Sequence, residues 1–314
     1  GAIESIKSGT TVAMEVADGI IDYADELQKS GLRLVLAEQI SDRISGTYGE
    51  PGEIKSDPQK NENGLEQMSN LYSKWHNYDN SKISVGIAAW APDMNSPNSL
   101  HSIRSLQDKL GVISTIHLNQ LWGEVQSIKD NYGTTPTKYL EENNFLSEKL
   151  VAAHCRCMTT EEEEILGKYK STVAFNAAIA ARRGLSPNIK DLEEYGCKIA
   201  MGSDNMDENM IVVMRTGMFM ERVRMKDGRN PSPNKAYQWA THNGYKSLGI
   251  SNAGTLTKGS KADLIIVNLM KPHLTPQTDI VSNWVHMGQN HDVESVMVDG
   301  KWIMKEHKIP NDLI

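Results

Sequence analysis

Seven short runs of apolar, strand-favouring residues, separated by helical patterns, constrain this chain more than any other feature. They fall at 10–15, 33–38, 84–89, 112–117, 150–154, 171–176 and 198–204. Most are continuous rather than alternating, as strands covered on both faces require. Helical stretches lie between them, the first over 20–30 with a stop at Gly31. This beat leads to a (β/α)8 barrel or a doubly wound sheet. A barrel takes about 250 residues, or about 31 per unit, and the runs ending at His117, His154 and Asp204 keep close to that spacing. No glycine-rich phosphate fingerprint follows the first runs, which disfavours a dinucleotide-binding sheet.

The texture changes after Asp204. Helices are expected over 210–224 and 234–248, the second closed by Gly249. From Gly254 onward short strands replace them. One covers 261–267, and 293–298 with 301–304 reads as a hairpin around the turn pair Asp299-Gly300. The expected division is a β-α domain at 1–254 and a small all-β element at 255–314. Residues 46–66 are polar and rich in Gly, Pro, Asn and Asp, and predict a long exposed loop, either over a barrel mouth or mobile. Thr159 and Thr160 each have a glutamate three residues on, giving two candidate capping boxes. The glutamate run 161–164 then sits at the positive end of a helix and needs no functional reading.

At 314 residues and 39% hydrophobic, the chain can bury one large core, with or without a small appended domain. Its net charge of -7 and lack of basic blocks argue against nucleic acid as the main partner. No apolar run reaches the ~18 residues of a membrane helix. Three cysteines, an odd and small number, predict a reducing, cytoplasmic setting rather than a disulfide scaffold. Cys155-x-Cys157 is too tight for the usual zinc spacing and reads as two small buried residues.

Chemistry concentrates at the carboxyl ends of the runs. His117, His154 and Asp204 each end one, and in a barrel those ends face the active site. Histidine and aspartate aimed at one point suit a divalent metal such as zinc or iron, and an aspartate beside such a metal can take a proton from water. Singly, each has a plainer reading: a hydrogen-bonded rim histidine, or a Gly-Ser-Asp turn capping a helix. Three at barrel spacing are harder to dismiss.

The motifs around these residues resemble the amidohydrolase superfamily, in the branch of adenosine-derivative, guanine and cytosine deaminases and triazine chlorohydrolases. Ile116-His117-Leu118-Asn119-Gln120 is similar to its fifth-strand motif, Ala153-His154-Cys155 to the sixth, and Gly202-Ser203-Asp204-Asn205 to the eighth. Ala240-Thr241-His242-Asn243-Gly244 resembles the helix that follows. Gly254-Thr255-Leu256, Lys258-Gly259 and Lys261-Ala262-Asp263-Leu264-Ile265 resemble the return into the family's sandwich, and this match is the longest. The resemblance implies a (β/α)8 barrel with a small β-sandwich. It implies His117 and Asp204 as metal ligands, Asp204 as base, and His154 as a group that hydrogen-bonds water or substrate and stabilises charge in the tetrahedral intermediate. Metal-activated water would displace an amino group or halide from a purine, pyrimidine or triazine-like ring. It allows a homodimer.

Departures from the family pattern shape the expectations further. The nine histidines include no His-x-His pair, which the family carries on its first strand. The run at 10–15 resembles the second strand, so the first strand is expected to be missing, and the metal with it if the chain is whole. Gln120 stands where these deaminases carry a glutamate, and glutamine exchanges no proton near neutral pH. Trp90 replaces a frequent histidine and could stack on a ring substrate or simply pack. Asn176, Arg182 and Arg183 are further substrate-binding candidates, the arginines for an anionic group or merely as a solvated pair. His242 and His273 are expected to be structural. The competing function is a catalytically incomplete relative serving in binding or assembly.

Overall fold

The computed structural model describes residues 1–310. All seven expected runs are strands: β1 Val12–Ala17, β2 Arg33–Ile40, β3 Ile83–Ala89, β4 Ser114–Leu118, β5 Leu150–His154, β6 Thr172–Phe175 and β7 Lys198–Met201. They form one parallel sheet in sequence order, curled as in a barrel, with β1 and β7 at its edges. Because every connection is a crossover in the same sense, all seven carboxyl ends lie along one rim. Register carries this through: His117 pairs with Ala153 and Leu118 with His154. Leu36, Ile87, Ile116 and Phe175 are buried between the strands and the surrounding helices. Each such side chain stabilises the fold by about 1.5–3 kcal/mol.

The connections differ from expectation at three places. The segment 20–30 is broken into a turn Ile20–Asp22 and a helix Ala24–Gln28, because Tyr23 adopts a non-helical φ of -125°. The expected loop 46–66 is a loop only as far as Asp57. A helix Pro58–Trp75 starts there, with the Asp57 side chain accepting from the Gln59 amide and Pro58 in the first turn. Its Gly and Asn content masked an apolar stripe of Met68, Leu71 and Trp75 that packs on the core. The helix expected over 234–248 is two helices, Pro233–Ala240 and His242–Ser247, kinked where Thr241 takes φ -128°, ψ -98°. Of the two capping boxes, Thr159 with Glu162 is the one formed.

Three further strands, β8 Leu264–Val267, β9 Val293–Val298 and β10 Lys301–Met304, form an antiparallel sheet in the order β10-β9-β8. The β9–β10 turn holds Asp299 and Gly300 at φ 50° and 77°, the left-handed pair that a tight hairpin needs. A buried network ties this sheet to the lower rim of the large one. Arg33, at the start of β2, grips Asp263 through Nε at 2.6 Å and Nη2 at 2.9 Å, and reaches Asp299 at 3.1 Å. Tyr245 donates to the same Asp263 carboxylate, and so does the Asp299 amide.

Candidate active site

The expected residues come from the carboxyl ends of five strands, β3 to β7. His117 is the penultimate residue of β4. Its Nδ1 lies 2.7 Å from the Trp90 carbonyl oxygen, which also accepts the His117 amide at 3.0 Å. A carbonyl can only accept, so Nδ1 carries the proton and Nε2 is left with a free lone pair. Burial holds the His117 pKa below the ordinary imidazole value, against the pull of the Trp90 carbonyl and Asp204. The ring is therefore neutral, as a metal ligand must be.

His154 closes β5 with φ at 78°. Its ring stacks on that of His117 with centroids 5.4 Å apart. Asn176 stands just ahead of the helix Ala177–Arg183 after β6, and its amide nitrogen donates to His154 Nδ1 at 3.3 Å. That fixes the tautomer with the proton on Nε2. Nε2 is buried, has no hydrogen-bond partner, and points towards Asp204 Oδ2 at 3.7 Å. Burial, then the neighbouring His117 and Arg156, push its pKa well below the usual value. A buried donor without an acceptor is costly, and here it faces the open rim.

Asp204 was expected to end a strand. β7 stops at Met201, and Asp204 lies three residues on, at φ 58° in a loop. Gly202 follows the strand, and a Cβ there would stand 2.5 Å from the Asn176 amide oxygen. The glycine thus makes room for the residue that orients His154.

Gln120 lies just beyond β4. Its side-chain oxygen accepts from the Tyr48 hydroxyl, which leaves its amide nitrogen as a donor. The turn is held from below by Glu124, a fully buried carboxylate that accepts the Asn119 and Gln120 amides, each at 2.8 Å. Burial pushes the Glu124 carboxyl well up, with Asp93 adding to the effect. Trp90 follows β3, and its ring centroid is 5.8 Å from that of Tyr48. Arg182 and Arg183 lie on the exposed last turn of the helix Ala177–Arg183. Arg182 reaches Met206 Sδ, in the loop that carries Asp204.

Two rim residues escaped the sequence reading. Tyr48 comes from the polar loop and packs over Trp90 and His117; its only signal was being the lone aromatic of 46–66. Arg156, two residues past His154, donates through Nε to the Gln120 carbonyl at 3.2 Å, while both Nη nitrogens are buried without partners. A charged residue between two buried cysteines was the available sign.

Two rim groups suit a divalent metal, where three or four protein donors are usual. His117 Nε2 and the Asp204 carboxylate are the two groups with free lone pairs at the rim, and the orphaned His154 N–H is a ready donor beside them.

A curled parallel sheet with a His, His and Asp constellation on its carboxyl-end rim defines a barrel hydrolase. The chain belongs to the amidohydrolase family, whose model matches residues 1–303. It is 32% identical to a 5-methylthioadenosine/S-adenosylhomocysteine deaminase of Syntrophomonas wolfei, covering 98% of this chain and 70% of the relative. A deaminase of the same description from Thermococcus sibiricus is 30% identical, over 97% of this chain and 70% of the relative. In fold it is similar to a zinc-bound adenosine deaminase from Xanthomonas campestris, with a TM-score of 0.87 at 20% identity, covering 98% of this chain and 69% of that one. The zinc complex of an atrazine chlorohydrolase from Arthrobacter aurescens gives 0.87 at 18% identity, over 98% and 71%. Among the described residues no helix is long and apolar enough to cross a membrane.

Proposed function

We propose that the rim is the catalytic site of a metal-dependent hydrolase that displaces an amino group from a purine-like ring with water. The observation that carries this reading is a run of neighbours at the rim: neutral His117 stacked on His154 at 5.4 Å, and the orphaned His154 N–H 3.7 Å from the Asp204 carboxylate. The names of the curated relatives support an aminated purine nucleoside as the first substrate to try. A bound zinc or iron, held by His117 and Asp204, would supply Lewis acidity and a lowered pKa for water.

The chain's own groups do the rest. Asp204 takes a proton from the attacking water and passes it towards the leaving nitrogen. His154 Nε2–H donates to oxygen as charge builds on it, and Asn176 keeps that tautomer in place. The Gln120 amide donates to a ring acceptor, and Trp90 offers a face for stacking. Arg182, Arg183 and the two free Nη nitrogens of Arg156 supply positive charge for an anionic substituent. This reading assigns residues 1–254 to the hydrolase unit and 255–314 to the sandwich part.

Gln120 favours a second reading, halide displacement from a triazine-like ring. An amino group must be protonated to leave as ammonia, and with glutamine at 120 only Asp204 is there to deliver that proton, whereas halide leaves unprotonated. The test is release of ammonium from aminated purines against chloride from chlorinated triazines, in the wild type and Asp204→Asn. Asn cannot take the proton, so turnover should fall by about 10²–10⁴-fold. Unchanged turnover overturns the assignment.

A further inference from the structure

Among the described residues, one trio of metal-donating side chains closes to within 4.8 Å, and it lies outside the rim. It comprises His273, Asp292 and His291. His273 sits in the turn Pro272–Leu274, and the other two in the turn Asn290–Asp292 that leads into β9. Asp292 is fully buried. Its Oδ2 is satisfied, accepting from His273 Nε2 at 2.7 Å and from the Gln289 amide at 2.9 Å. Its Oδ1 has no hydrogen-bond partner, and His291 Nε2 stands 3.6 Å from it. A buried carboxylate oxygen with nothing to accept from is unfavourable. Here it faces two imidazoles whose side chains are 28% and 59% exposed, so an ion can reach it from solvent.

We propose that this trio is a structural zinc site, separate from the catalytic rim, with water in the fourth position. Two imidazoles and one carboxylate are a borderline donor set that suits zinc better than calcium or magnesium. Zinc bonds of about 2.0–2.1 Å set tetrahedral donors about 3.3 Å apart. The His291–Asp292 separation of 3.6 Å is close to that. The His273–Asp292 pair is now drawn in by its hydrogen bond and has only to open slightly. On binding, the metal takes the place of the His273 Nε2 proton, the ring is left neutral with its proton on Nδ1, and the hydrogen bond is replaced by metal bonds. The ion would pin the turn at 272–274 to the head of β9, across the long connection from β8.

The test titrates zinc chloride into the full chain by calorimetry, for the wild type, His291→Ala and a control, His307→Ala, at another exposed histidine. His291→Ala is chosen because Asp292 also caps a backbone amide and its loss would disturb folding. The wild type and the control should bind one zinc per chain more than His291→Ala does. Zinc should raise their unfolding midpoint by a few degrees, about what a ligand gaining 1 kcal/mol gives in a domain of this size. In His291→Ala that rise should disappear. Equal stoichiometry and an equal thermal shift in wild type and His291→Ala overturn the proposal. So does zinc binding that is lost wholly on His117→Ala, which would place the only ion at the rim.

Discussion

At the level of single residues, the rim divides into groups whose protonation is fixed by their neighbours and one group that cannot exchange a proton at all. His117 and His154 have opposite tautomers, set by a carbonyl acceptor in one case and an amide donor in the other. The sequence placed both rings on strand ends, but nothing in it could assign the protons, because Trp90 and Asn176 reach them from other strands. Gln120 is the group that cannot exchange. It already accepts from Tyr48, whose hydroxyl stays protonated because burial raises its pKa. A glutamate placed there would keep that acceptor role and gain an exchangeable proton. Gln120→Glu should therefore raise ammonium release by about 10²-fold or more, the range that a positioned acid contributes, and leave chloride release unchanged. Rates of both products in parallel assays check this; an equal effect on the two would mean that Gln120 only positions the ring.

At the level of elements, strand existence was legible and the connections were less so. Continuous apolar runs announce buried parallel strands whatever follows them. The helix Pro58–Trp75 was obscured because Gly, Asn and Lys in its first two turns imitate a loop, and only the tertiary core reveals the stripe. Asp263 was noticed as part of a motif, but its role needed the fold. It is the acceptor that binds β2, the helix His242–Ser247 and the β9–β10 turn together. Burial alone would raise its pKa; the Arg33 guanidinium, with the Asp299 amide and Tyr245, outweighs that and holds it below the ordinary value. A carboxyl depressed on folding stabilises the protein above its unfolded pKa, and that contribution is lost as pH falls through the lower folded value. Arg33→Met should cost about 3–5 kcal/mol at pH 7, because it strands a buried charge. Adding Asp263→Leu should recover part of the loss. Urea melts at pH 7 and pH 3 measure both effects, and the penalty should shrink at the lower pH. A cost under 1 kcal/mol at pH 7 would mean the network is incidental to stability.

For the molecule as a whole, the notable feature is a parallel sheet with two edges where a closed barrel has none. The seven counted strands and the seven observed ones agree, and the edges are β1 and β7. The segment between them is the loop after β7. Ser5 and Ser8, ahead of β1, donate to Glu208, and so does Ser203 in the same loop. Residues 202–209 thus run from the end of β7 to the entry of β1, carrying Asp204 with them. Edge strands leave half their backbone groups without a ladder partner, and exchange of those amides reports whether anything covers them. Hydrogen exchange should show β3, β4 and β5 opening only with global unfolding, and the outward amides of β1 and β7 exchanging by local opening, far faster. The loop 202–209 should exchange with the edges, since few buried apolar contacts hold it, and a rim metal bound through Asp204 should slow it. If the outward amides of β1 and β7 are as protected as those of β4, another strand pairs with both in the working protein, and the barrel there is closed. If they exchange freely, any metal at the rim has to be held with an open sheet, and donors beside His117 and Asp204 have to come from the loops.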